Sequence, residues 1–178
     1  MSKRIAIDIG HARGTGAAGN GLQEHEVCAE IAEYLRAFLE TRGVSASVID
    51  YPTETNSADL IATVREVNAG GYALSVSLHC DCSANGSARG AHCIYVSVNG
   101  GRCAEKIAKH LCPIMPGRAN RTVKRGNLYV LNNTRCPAVL VECGFLSNSR
   151  DADMLKHEKH RIAMAIGRGV IDFLTDNR

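Results

Sequence analysis

The chain reads as an α/β protein: a single domain, with a twisted, mostly parallel sheet of about six strands flanked by helices. Three observations lead there. Ala138 to Val141 is a short continuous apolar run with β-branched residues, set between Pro137 and Gly144, as in a strand buried on both faces. Two more apolar runs, Ile5 to Ile9 and Leu74 to Leu78, are separated from it and from each other by segments of helical period. A hydrophobic content of 45% with 17 Gly is that of a globular chain, and 178 residues are enough for one domain with a real core.

In order, residues 4–9 form the first strand, and Gly10 to Gly21 is a loop of glycines and small residues. A helix follows from about Gln23 to Thr41, where Val27, Ile31, Leu35 and Phe38 make one buried stripe and Gly43 closes the end. Val44 to Ile49 is a second strand, with Val44, Ala46 and Val48 alternating against Ser45 and Ser47. Pro52 to Ser57 connects to a second helix marked by Leu60, Ile61, Val64 and Val67 and stopped by Gly70-Gly71. Leu74 to His79 is the third strand, and Asp81 to Arg89 a loop. Gly90 to Val98 is expected as a fourth strand, at an edge. Ala104, Ile107, Ala108 and Leu111 mark a third helix closed by Pro113 and Pro116. Gly117 to Gly126 is a basic loop with Arg118, Arg121, Lys124 and Arg125, read as a solvated loop in preference to an anion site. Leu128 to Leu131 is expected as a short fifth strand and Ala138 to Glu142 as the sixth. Helices at 150–156 and 158–174 complete the domain, the last carrying Ile162, Ile166, Val170 and Phe173.

The totals exclude several classes. No apolar run approaches the ~18 residues of a membrane span, so no membrane insertion is expected. A net charge of +3 tolerates anionic polymers but does not imply nucleic-acid binding, and none is expected. Of the eight cysteines, Cys28, Cys93 and Cys103 fall at helix or strand interiors, where thiols act as small hydrophobes, and the set is read as reduced. No pair of Cys-x-x-Cys units points to a structural zinc site.

The chemistry gathers at strand ends. Glu142 closes an apolar strand, where a buried unpaired charge costs several kcal/mol and has no packing rationale. The first strand leads to Gly10-His11 and the third to His79. In open α/β sheets ligands bind beyond the carboxyl ends of the strands, so His11, His79 and Glu142 would face one crevice. Glu24 sits in the first turn of the first helix, where the dipole favours an ionised carboxylate. Glu26 is its rival, but two residues on it faces nearly the opposite way. Residues alone stop at metal-assisted amide hydrolysis.

Pro137-Ala138-Val139-Leu140-Val141-Glu142-Cys143-Gly144-Phe145-Leu146-Ser147-Asn148 resembles the signature of the zinc-dependent N-acetylmuramoyl-L-alanine amidases of the type 3 family. Asp8-Ile9-Gly10-His11, Gly19 to Glu24, Arg65 to Asn68 and Ser77 to Asp81 follow in family order, and the likeness spans about Ile5 to Leu174. The resemblance implies one Zn2+ per chain held by His11, Glu24 and His79, with Glu142 as the catalytic residue. It implies peptidoglycan as substrate, cut at the amide between N-acetylmuramic acid and L-alanine, in cell-wall lysis or remodelling such as that of a phage endolysin. On that reading zinc acidifies its water and polarises the scissile carbonyl. Glu142 then takes the water proton and returns it to the leaving amine. Asp81, on the strand face of His79, is the candidate to orient that ligand, and it stands where the family usually has Asn.

Residues 1–178 are accordingly expected to be one catalytic domain acting as a monomer, without a separate wall-binding domain. Met1-Ser2-Lys3-Arg4 passes straight into a strand without a signal-peptide h-region, so cytoplasmic synthesis with action on the wall after release is expected. Two rival functions stand beside this one. Gly14-Thr15-Gly16-Ala17-Ala18-Gly19 fits a dinucleotide-binding G-x-G-x-x-G, but the helix starts after Gln23, too late for the third glycine to lie inside it. A catalytically inactive peptidoglycan-binding module would have no reason to keep His11, Glu24, His79 and Glu142 together.

Overall fold

Three neighbouring parallel strands carry the residues singled out above. The computed structural model describes residues 3–51 and 55–176. Within it β1 (Arg4–Ile9), β5 (Leu74–Asp81) and β8 (Ala138–Phe145) lie side by side at the centre of a six-stranded sheet. The sheet order is β4-β1-β5-β8-β6-β7, where β4 is Ser45–Ile49, β6 His92–Tyr95 and β7 Thr122–Lys124. All pairs are parallel except β6–β8. A two-residue hairpin, β2 (Ala18–Gly19) with β3 (Leu22–Gln23), stands apart from this sheet.

Alternation along the strands divides the side chains between two helical layers. Ile5, Ile7 and Ile9 join Leu74, Val76, Leu78, Val139 and Val141 in the main core. Helices α1 (Glu24–Glu40), α3 (Val98–Leu111) and α6 (Lys159–Asp176) cover that core. Val27, Ile31 and Leu35 of α1 are almost wholly buried there, each worth roughly 1.5–3 kcal/mol relative to exposure. On the opposite face Ala6 packs with Val67 and Tyr72, while Ile94 and Leu140 pack with Val64 of α2 (Asn56–Ala69) and Val130 of α4 (Tyr129–Asn133). Helix α5 (Ser149–His157) follows β8. No helix among the described residues is long and apolar enough to cross a membrane.

The expected strands and helices are found with three corrections. Leu128–Leu131 is not a strand, since α4 occupies Tyr129–Asn133. Four apolar residues cannot distinguish the two states. The turn is fixed by back-bonding side chains, with Asn132 Nδ2 donating to Gly126 O and Leu128 O, and Thr134 Oγ1 to Val130 O. The strand expected there is instead β7, inside the basic loop, where Cys93 N donates to Arg121 O and Arg125 N to Tyr95 O. It is short and charged, as edge strands are, which hid it among the arginines. Consequently β6 is not an edge strand, and the residues after it enter α3, capped by the Ser97 hydroxyl accepting from Gly100 N. Of the connector expected over Pro52 to Ser57, residues 52–54 lie outside the described residues; Ser57 is already helical.

Candidate metal centre and active site

The site is built where β1, β5 and β8 end. Beyond β1 the chain turns at Gly10, whose N–H donates to Leu78 O, and His11 takes a left-handed conformation at φ 67°. A Cβ on Gly10 would lie 2.3 Å from His79 Cε1, so only glycine lets the ring of His79 lie across this turn. Gly16, at φ 87°, similarly leaves space for Glu24 and His11, since a Cβ there would stand 2.8 Å from Glu24 Oε2. The loop is held from α2, where Asn56 Oδ1 accepts from Ala12 N at 2.9 Å and from Thr15 Oγ1 at 2.6 Å.

Glu24 opens α1 and is 2% exposed. Each of its oxygens meets one histidine and one backbone amide. Oε2 lies 3.3 Å from His11 Nε2 and accepts from Ala17 N, while Oε1 lies 3.0 Å from His79 Nδ1 and accepts from Cys80 N. Burial alone would raise this carboxyl, but the contacts with His11, His79 and Ala17 outweigh it and hold Glu24 far below the usual carboxylate range. His79 moves the other way. Burial would lower it, yet Glu24 and the charge of Glu142 raise it above 6.5. The two imidazoles meet edge to face at 5.0 Å.

Among the described residues, His11, Glu24 and His79 are the one group of three His, Cys, Asp or Glu whose donor atoms all lie within 4.8 Å of one another. Zinc bonds to nitrogen and oxygen of about 2.0–2.2 Å place donors a little over 3 Å apart. The observed 3.0 and 3.3 Å contacts are close to that spacing, and an ionised carboxylate with two imidazoles is a zinc donor set. The residues present therefore fit the ion.

Glu142 stands beside this group, paired in register with His79 across β5 and β8. Its Oε2 is buried without a hydrogen-bond partner, and burial pushes the carboxyl up to about 7, a value suited to moving protons at neutral pH. It lines a pocket of about 300 Å³ together with His11, His79, Asn56, Arg125 and Tyr129. The wider groove, about 600 Å³ on the outer face of α2, borders none of these candidates.

Asp81 shares the strand face of His79, but no hydrogen bond joins the two among the described residues. One extra residue of β8 shifts the register after the His79–Glu142 pair, so that Asp81 pairs with Phe145. Its carboxylate lies 3.9 Å from His92 Nδ1, and Nδ1 of His79 meets Glu24. That His92 contact is no ion pair, because burial and then Arg118 and Arg125 drive His92 down to about 4. Glu26 is exposed, and His25 turns from the site to Asp50 at 3.1 Å. Cys80 and Cys143 point into the core, and all eight cysteines are free thiols.

Sequence reasoning gave no role to Asp8, which lies buried on the same sheet face. Its carboxylate accepts from Ser77 Oγ at 2.5 Å and from Thr63 Oγ1 at 3.2 Å. Its place in Asp8-Ile9-Gly10-His11 was the available signal, a charge alternating with isoleucines. Arg125, just beyond β7, and Tyr129, at the start of α4, also line the pocket, and neither carries a local signal in the sequence. The segment after Glu142 is explained by hydrogen bonding. Ser147 Oγ accepts from Ser83 N, Asn148 Nδ2 donates to Gly86 O, and Leu146 O accepts from Asn20 Nδ2 beside the hairpin.

With this geometry in view, the comparison with known proteins is specific. The family described as N-acetylmuramoyl-L-alanine amidase matches residues 5–172. The chain belongs to that family. Its relatives include N-acetylmuramoyl-L-alanine amidase LytC of Bacillus subtilis (strain 168), 33% identical over 184 aligned residues that cover 97% of this chain. The match spans 36% of LytC. Among solved structures, the catalytic domain of the CD27L endolysin targeting Clostridia difficile superposes with a TM-score of 0.88 at 30% identity, covering 96% of this chain and 97% of that one. The catalytic domain of CwlV, an N-acetylmuramoyl-L-alanine amidase from Bacillus (Paenibacillus) polymyxa var. colistinus, gives 0.85 at 25% identity, covering 97% and 98%. The family's α/β fold is thus the fold of this chain. A dinucleotide site is disfavoured by the same geometry, because the start of α1 presents the ionised Glu24 where a pyrophosphate would have to sit.

Proposed function

We propose that this chain is a zinc-dependent hydrolase of the amide joining the lactyl group of N-acetylmuramic acid to L-alanine in peptidoglycan, acting in cell-wall lysis or remodelling. The observation that carries the reading is Glu24 clamped between His11 and His79 at the rim of the pocket that Glu142 lines. His11, Glu24 and His79 would hold the ion, which supplies a Lewis acid for the scissile carbonyl and lowers the pKa of water.

The rest of the chemistry belongs to the protein. Glu142, with one oxygen free of hydrogen bonds, accepts a proton from the attacking water and delivers it to the departing alanine nitrogen. Its raised pKa serves both halves, since a carboxyl near 7 gives up as readily as it takes. Glu24 stays ionised throughout, held there by two amides and two imidazoles. Leu60, Ile94, Leu128 and Leu140 form the apolar wall of the pocket and limit water around the reacting amide.

The test is metal content and product analysis on the purified chain. One zinc per chain, and wall digestion that releases peptides with a new L-alanine amino terminus, are expected. Digestion that produces reducing sugars, or that survives complete metal removal, would refute the reading.

A further inference from the structure

The basic loop looks like ordinary solvated surface in the sequence, yet its four cations go to different places. β7 fixes the backbone of Arg125 by the bond from its N–H to Tyr95 O, and its side chain lines the same pocket as His11, His79 and Glu142. Arg118 lies nearby, its guanidinium 5.6 Å from the Phe145 ring. Neither guanidinium forms a salt bridge within 4.0 Å among the described residues, although both act on His92 and Asp81 at the strand ends beside Glu142. His92 itself is 2% exposed and its Nδ1 has no hydrogen-bond partner. The pocket is therefore lined by one guanidinium, that of Arg125, which no protein carboxylate pairs among the described residues.

Building on the hydrolase reading above, we infer that Arg125 is a specificity-determining residue that binds a free carboxylate of the stem peptide on the amine side of the scissile bond. The substrate's chemistry selects that side. On the acyl side the muramic carboxyl is consumed in the amide, and the sugar offers only neutral hydroxyls and an acetamide. On the amine side the residue after L-alanine carries a carboxyl that is either free or amidated. Consecutive Cα atoms are 3.8 Å apart, so that carboxyl lies about 5–6 Å from the scissile nitrogen, within the scale of a 300 Å³ pocket. A guanidinium matches a carboxylate as a two-pronged donor, whereas a primary amide offers one acceptor and no charge.

The experiment measures kcat/KM of the zinc-loaded chain on walls and on disaccharide tripeptides, each prepared with the second-residue carboxyl free or amidated. Wild type should prefer the free acid by about tenfold, less at high salt. Arg125→Gln should bring the ratio near one while leaving zinc content and melting temperature unchanged, since Arg125 is exposed. Arg121→Gln is the control: Arg121 acts on Cys112, which belongs to the core on the other face of the sheet, so the preference should survive. Equal rates on acid and amide in wild type, a ratio unchanged in Arg125→Gln, or equal losses in both variants would each overturn the inference and leave the hydrolase reading standing. No cleavage of any of these substrates would instead overturn that reading and the inference with it.

Discussion

His79 and Glu142 are register partners on adjacent parallel strands, and both project from the sheet toward the α2 side. This pairing puts a raised imidazole next to a raised carboxyl. Each perturbs the other, since the charge of Glu142 raises His79 while His79 partly offsets the burial of Glu142. An imidazole in contact with Glu24 and a carboxyl with an unpartnered oxygen are thus set side by side by backbone register.

Separating those two roles gives the first prediction. Glu142→Gln keeps the shape and the apolar neighbours but cannot accept a proton. It should retain zinc and a native melting temperature while losing about 10²–10⁴-fold in kcat, the usual worth of a general base. Zinc assay, thermal melt and turnover on walls decide it. Zinc lost with activity would make Glu142 a ligand. Activity kept would move the base elsewhere, with Asp81 the first group to test.

The second prediction concerns titration in the metal-free chain. Burial moves the Glu142 carboxyl from 4.5 up to about 7, so the folded state keeps a proton that the unfolded state releases. The sign follows: between about 4.5 and 7 the folded chain binds more protons, and this group makes stability fall as pH rises. Glu142→Gln should therefore gain melting temperature over wild type at pH 8 and little at pH 4.5. Zinc beside the carboxyl should lower its pKa, so the gap at pH 8 should shrink on loading. An equal gap at both pH values would show that Glu142 titrates normally.

Gly10→Ala is the third. The added methyl would fall 2.3 Å from His79 Cε1, with the ring unable to remain where it is. Supporting groups around a metal ligand typically contribute 10–100-fold in affinity, and a loss of that order in zinc affinity is expected. The main core on the other face of the sheet is untouched, so far-ultraviolet circular dichroism should be unchanged. Competition with a chromophoric chelator measures it, and unchanged affinity would show that His79 can move without cost.

What could be read from the sequence tracks how each residue acquires its partners. Ile5, Leu74 and Val139 announce their strands because both sheet faces are covered, and a continuous apolar run has no other use. The α1 stripe is legible for the same reason, its partners being a whole layer. β7 is fixed by a contact that no local pattern encodes, the pairing of Cys93 with Thr122, and α4 is a five-residue turn too short to show a period, held by Asn132 turning back to Leu128 O. Those two elements carry or adjoin Arg125 and Tyr129, so one wall of the pocket was invisible while the donor group was not. Asp81 shows the reach of such a pattern. Period-two alternation puts it on the face of His79, but alternation does not fix what a side chain reaches: its carboxylate lies 3.9 Å from His92 Nδ1, while Nδ1 of His79 meets Glu24.

Acid release of the metal is the last prediction. A histidine must lose its proton to bind zinc. Burial opposes the charged form of His79, but Glu24 and Glu142 raise it above 6.5, so in the empty site it holds its proton further up the pH scale than a free imidazole does. Glu24, held far down, stays ionised throughout that range and does not limit binding. Zinc affinity should therefore rise with pH through the folded value of His79 and weaken as pH falls below it. His79 also stabilises the metal-free fold in its charged form, fully below 6.5 and lost as pH rises through its raised value. The stabilisation conferred by zinc, read as the melting-temperature difference between loaded and chelated chain, should consequently be larger at pH 8 than at pH 6. Removing Glu142's charge by Glu142→Gln takes away one of the groups that raise His79, so in the metal-free variant the ring should titrate at lower pH than in wild type, read from its NMR signals as pH is varied. A His79 titration unmoved in that variant would mean that the charge of Glu142 does not reach His79.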